Sequence, residues 1–131
     1  MIGLDSNILI RHIIQDDPVQ SPRATEILER ELSAENPGFV SVVAMAEMVW
    51  VFDRAYGLTR GQIAAAIERI LQADVLVVEN EQEVFTAMTA LKEGRGSFAD
   101  ALIAALGARA GCSTTLTFDR KALRLPGFML A

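Results

Sequence analysis

The chain has one cysteine, one histidine, one tryptophan and one tyrosine in 131 residues. A lone cysteine, Cys112, excludes an internal disulfide and fits a reducing compartment, so a cytoplasmic protein is expected. With His12 as the single imidazole, the common zinc arrangements of His and Cys are excluded too. Long apolar stretches are missing. The longest run free of polar or charged residues, Ala101 to Ala108, falls far short of the roughly 18 residues that a membrane-spanning helix needs, and no membrane association is expected. Asp5 arrives too early for a secretory leader. Basic residues are scarce, 12 against 17 acidic ones, and the net charge of −5 argues against a partner held mainly by phosphate contacts.

What is present is apolar. Hydrophobic residues make up 51% and charged ones 22%, which excludes a disordered chain, and 131 residues suit one core, so residues 1–131 read as a single domain. Short apolar runs occur at Met1 to Leu4, Phe39 to Val43, Val75 to Val78, Thr115 to Phe118 and Phe128 to Leu130. Each is too short for a globular helix and suits a strand buried on both faces, as in a parallel sheet. Helix-like segments lie between them. Ser21-Pro22 reads as a cap followed by the first helical residue of a segment reaching about Glu35. Thr59 with Gln62 and Asn80 with Glu83 resemble capping boxes, Ser97 with Asp100 is a looser version, and Gly57 and Gly94 sit where helices would end. The alternation predicts an α/β fold: a three-layer α/β/α sandwich around a mainly parallel sheet of about five strands. Ligands of such sheets bind beyond the carboxyl ends of the strands, so the residue after each apolar run is where chemistry is expected.

Four carboxylates stand out. Asp5 ends the first run and Asp119 the fourth, which places both on one edge of the expected sheet. Glu47 is the only charge between Val42 and Phe52, and Asp100 the only one between Gly96 and Ala108, so both interrupt segments that read as interior. A carboxylate in apolar surroundings costs several kcal/mol unless a positive or hydrogen-bonding group compensates it. Glu47 has Arg54 only seven residues on, and Asp100 has no Lys or Arg three or four residues away on either side. A bound cation would fill the gap, and all-oxygen ligands favour Mg²⁺ or Mn²⁺. Carboxylates around such ions are a recurring arrangement for phosphodiester hydrolysis. Each acid also has an ordinary structural reading: Asp5 and Asp119 as helix caps, Asp100 as a dipole partner, Glu47 as one half of a salt bridge.

Four segments carry a resemblance: Met1 to Ile10 (MIGLDSNILI), Ser41 to Glu47 (SVVAMAE), Phe98 to Ala105 (FADALIAA) and Thr115 to Arg120 (TLTFDR). In this order and at one-domain spacing, with Pro126-Gly127-Phe128 leading the last strand, the chain resembles the PIN-domain ribonucleases and, among them, VapC-type toxins of toxin-antitoxin pairs. The resemblance implies metal-dependent cleavage of RNA, with Asp5, Glu47, Asp100 and Asp119 as the acidic quartet. Asp5 and Asp100 would be principal ligands of Mg²⁺ or Mn²⁺, and Ser6 and Thr117 lie where a hydroxyl could orient a carboxylate. Ser97 stands where some relatives carry a further acid. A small cognate antitoxin and a homodimer are implied as partners, with the stretch Met45 to Phe52 as a candidate contact beside its plainer role in the core. Arg11, His12, Arg95, Arg120, Lys121 and Arg124 are candidates for RNA phosphate. Two other readings are a phosphotransfer domain (receiver or aspartyl-phosphate phosphatase) and a non-catalytic α/β binding scaffold. Asn7 stands where the phosphatase would want a second acid, and Val78 leads into Glu79 where a receiver would want its acceptor Asp.

Overall fold

The computed structural model describes all 131 residues. Its elements run β1 (Ile2–Gly3), α1 (Ser6–Ile13), α2 (Gln20–Glu26), β2 (Gly38–Val40), α3 (Val42–Arg54), α4 (Arg60–Gln72), β3 (Leu76–Val78), α5 (Glu81–Lys92), α6 (Phe98–Arg109), β4 (Thr115–Thr117) and β5 (Phe128–Leu130). A π-helical turn, Ile27–Glu31, extends α2, and a 3-10 turn, Arg120–Arg124, joins the last two strands. The α/β alternation is thus present, and every strand pair is parallel.

The single sheet of about five strands is not. Five strands form, but they divide into a three-stranded sheet ordered β1-β2-β3 and a two-stranded one, β4-β5. β1 contributes only two residues and so offers few ladder groups to recruit β4. Nor are all strands covered on both faces. Val40 is fully buried, whereas Leu116 and Met129, partners in the β4-β5 register, are 61% and 53% exposed. The apolar run at Phe39 to Val43 is also split, because Ser41 caps α3 by accepting the Ala44 N–H and turns Val42 and Val43 into helix.

Gly38 explains how the central strand is covered. A Cβ there would stand 2.7 to 3.0 Å from the side chains of Leu4, Leu32 and Leu76, so the absence of a side chain lets three leucines close over β2. The main core joins Leu9 and Ile10 of α1 to Met45, Met48 and Phe52 of α3, Ile63 and Ile67 of α4, Val84 and Met88 of α5, and Phe98 and Leu102 of α6. Burying each of the large side chains contributes about 1.5–3 kcal/mol, so the helices are held by these stripes more than by the short strands. No helix is long and apolar enough to cross a membrane.

Thr59 and Gln62 form the reciprocal capping box, and Gly57 and Gly94 adopt φ of +60° and +71° at helix ends. Ser97 accepts the Asp100 N–H. Ser21 is no cap: α2 starts one residue earlier, Asp17 accepts the N–H of Val19 and Gln20, and the buried Ser21 hydroxyl donates to the Ile14 carbonyl. Asn80 precedes α5 with φ of +50° and makes no side-chain cap, while Glu83 pairs with Arg109 instead.

Candidate active site

The three-stranded sheet places Ser41 and Glu79 directly after β2 and β3, and Asp5 two residues after β1. Glu79 accepts the Val42 N–H at 3.0 Å and so fixes the start of α3. Asp5 occupies the cap position of α1, yet its carboxylate makes no cap bond, which removes the structural reading it had in the sequence. It lies instead 3.2 Å from the hydroxyl of Ser6, the first residue of α1. The same hydroxyl is hydrogen-bonded to Glu47 of α3. Packing of α1 on α3 brings these residues together across 41 positions of sequence, with Ser6 buried and both carboxylates exposed.

Glu47 is therefore not a charge in the interior. The buried stripe of α3 runs through Ala44, Met45, Met48, Val49 and Phe52 at helical spacing, and Glu47 faces outward between Val43 and Trp50. Those two residues, 73% and 62% exposed, extend the apolar composition onto the outer face and made the helix look buried all round. Within the stretch Met45 to Phe52, Met45, Met48, Val49 and Phe52 are core, and Trp50 is its exposed apolar member.

Asp100 stands in the first turn of α6, half-buried, with its N–H bonded to Ser97 and no hydrogen bond or ion pair to its carboxylate. Asp119 caps the 3-10 turn: one carboxylate oxygen accepts the Lys121 N–H at 2.9 Å, leaving the other free, and its own N–H donates to the Thr117 hydroxyl. Asp119 follows β4 and Asp5 follows β1, so the two belong to different sheets and not to one edge. Asp5 and Glu47 are joined through Ser6, and no hydrogen bond joins Asp100 or Asp119 to that pair. No three of the His, Cys, Asp and Glu side chains converge closely enough to hold an ion by themselves.

None of the four acids takes part in an ion pair. Arg54, the one basic candidate for Glu47, lies 3.9 Å from Asp53 instead. Two of the six candidate phosphate contacts are engaged in ion pairs, Arg11 with Asp16 and Arg95 with Glu93. His12 bonds Thr25, its ring half-buried between α1 and α2. Desolvation, reinforced by Arg69 and opposed by Glu29, holds its pKa below the usual imidazole value. Arg120, Lys121 and Arg124 carry no ion pair and crowd the turn after Asp119, which makes that turn the free basic patch near an acid.

The donor set fits a hard cation. Asp5 and Glu47 supply carboxylate oxygens with no basic side chain in ion-pairing reach, and one hydroxyl proton is shared between them. Mg²⁺ is typically held by one or two carboxylates and several waters, without an enclosing cage, so two converging acids are enough. An α/β fold with uncompensated carboxylates beyond the carboxyl end of a parallel sheet defines a candidate metal-assisted hydrolase. The PIN domain family matches residues 2–127, and the chain belongs to that family. PIN domains are a nuclease fold and are generally metal-dependent. No curated protein matches the chain significantly.

Proposed function

We propose that the protein is a Mg²⁺- or Mn²⁺-dependent endoribonuclease and the toxin of a toxin-antitoxin pair. The observation that carries the metal-dependent reading is the Ser6 hydroxyl shared by Asp5 and Glu47, two acids with no counter-charge. Asp5 and Glu47 would hold the ion, with Asp100 and the free oxygen of Asp119 as further oxygen donors toward water or metal. When bound, such an ion supplies Lewis acidity toward the phosphodiester and lowers the pKa of water. The protein's own contribution is orientation. Ser6, fixed by burial at the start of α1, holds the Glu47 carboxylate, and the β1–α1 junction holds Asp5 free of any cap bond. The adjacent negative charges repel a phosphate when no cation is present, so RNA affinity is modest and metal-dependent. The four-segment resemblance supports RNA as substrate and a small cognate antitoxin and a second copy of the chain as partners.

Purified protein is expected to cut single-stranded RNA only with Mg²⁺ or Mn²⁺, leaving 5′-phosphate and 3′-hydroxyl ends. Asp5→Asn should reduce the rate by at least 100-fold. Cleavage that survives excess chelator, or an Asp5→Asn protein as fast as the wild type, would overturn the mechanism. Cutting of DNA with RNA left intact would overturn the substrate. The toxin reading predicts growth arrest on expression of the chain, relieved by co-expression of the adjacent small reading frame.

A further inference from the structure

A pocket of about 370 Å³, within the size range of small-ligand sites, lies between α3, the start of α4 and the start of α6. Ala46 and Trp50 of α3, Arg60 at the start of α4, Gly94 and Gly96, and Ser97 through Ala99 at the start of α6 line it. Its walls are thus continuous in sequence with two of the proposed acids: Ala46 precedes Glu47 and Ala99 precedes Asp100. Trp50 stands three residues after Glu47 on the same outward face of α3, so the two side chains are neighbours on the helix surface.

Two features of the lining set its chemistry. Trp50 is the only tryptophan of the chain and is 62% exposed, a large aromatic surface with no aromatic partner. Arg60 carries no ion pair, and a Cβ on Gly94 would collide with its guanidinium, so glycine there lets the cation lie along the pocket wall. Asp53 also lines the pocket, so one charge of each sign faces it and it suits a ligand with few negative charges.

We infer that this pocket is a nucleotide subsite of the nuclease, in which the Trp50 indole stacks on a base flanking the scissile phosphodiester and Arg60 meets a backbone phosphate. The inference rests on the nuclease reading above and adds to it the residues that position a single strand. Stacking on an aromatic side chain is sequence-tolerant, because every base has a π-face. The subsite therefore selects unpaired nucleotides over duplex and discriminates little between bases. Trp50 is a positioning residue for the substrate and touches no metal.

The single tryptophan makes the test direct. The full chain is titrated with a short single-stranded RNA, with Ca²⁺ in place of Mg²⁺, while Trp50 emission is followed; cleavage kinetics are then measured with Mg²⁺. Saturable quenching is expected. Trp50→Ala should raise KM about 10-fold with kcat within about two-fold, and Trp50→Phe should recover most of the loss. Arg60→Gln should weaken binding at low salt and reduce the slope of affinity against salt by about one unit. The exposure of Trp50 makes misfolding of the variants unexpected, and their melting temperatures check this. RNA bound and cut with unmoved emission and an unchanged KM in Trp50→Ala would sink the subsite and leave the nuclease reading intact. A Trp50→Ala chain that loses self-association but keeps its RNA kinetics would show an interface between copies instead, which also overturns the proposal. No RNA bound or cut by any form of the chain would remove the nuclease reading, and the subsite with it.

Discussion

The hydroxyl of Ser6 lies between the carboxylates of Asp5 and Glu47, within hydrogen-bonding distance of both. A hydroxyl has one proton, so it can donate to only one of two ionised acids at a time. The other faces an oxygen lone pair beside a second negative charge. A bound cation would relieve both conflicts.

Metal binding is expected to raise the melting temperature. At a metal concentration 100 times Kd, binding to the native state adds about 2.7 kcal/mol. Asp5→Asn and Glu47→Gln should each lose most of that rise. In chelator the same variants should be at least as stable as the wild type, because each removes a like-charge contact. Variants less stable in chelator, or as responsive to Mg²⁺ as the wild type, would count against the site.

Ser6→Ala tests the shared hydroxyl. Partners that orient a metal ligand commonly affect metal affinity by about 10–100-fold, and a loss at the low end of that range is expected from Mn²⁺ titrations read by thermal shift. Ser6→Thr keeps the hydroxyl and should recover part of it. Equal affinity in wild type and Ser6→Ala would reduce Ser6 to a packing residue.

Glu83 is the one buried carboxylate: its Oε2 has no hydrogen-bond partner, and Oε1 accepts from Arg109 at 3.1 Å. Removing Arg109 leaves that charge without its counter-ion, whereas replacing Glu83 removes the burden. Arg109→Ala is therefore expected to cost about 2 kcal/mol in urea unfolding, discounted because Arg109 is largely exposed, and Glu83→Met close to nothing. The reverse order would refute the assignment.

His12 predicts a pH effect of definite sign. Its folded pKa lies below 6.5, so the native state takes up a proton less readily than the unfolded chain. The stability it contributes is present above pH 6.5 and is lost as pH falls through that value toward the lowered one. The wild type should lose stability from pH 7.5 to 5.5, and His12→Gln should lose less. An identical pH dependence in the two proteins would remove His12 as the cause.

Gly38→Ala places a methyl among Leu4, Leu32 and Leu76, and overpacking of this kind typically costs about 1–3 kcal/mol. Denaturant midpoints would measure it, and a neutral result would mean that the three leucines have room to move.

Short-range features of the sequence read correctly where a few consecutive residues decide the outcome. Thr59 with Gln62 formed its box, the strand at Phe128–Leu130 fell where its apolar run lies, and all strand pairing is parallel as the alternation required. Ser21-Pro22 is a stronger local pattern than Asp17, yet Asp17 accepts the N–H groups of Val19 and Gln20 at the entry to α2, while a bond to the Ile14 carbonyl draws Ser21 inside. Glu83 reads locally as half of a capping box with Asn80, but its partner is Arg109, 26 residues away on another helix.

The four acids show where the division falls. Their order along the chain, and the scarcity of the His and Cys that zinc sites use, belong to the sequence alone, because ligand chemistry follows residue type. Asp5 as an uncapped acid, Glu47 on an outer face, Ser6 between them, and the separation of β4-β5 from the main sheet were decided by the tertiary structure. Which side of a helix is covered, and which strand edge finds a partner, depends on packing between elements distant in sequence, and no local pattern of residues carries that information.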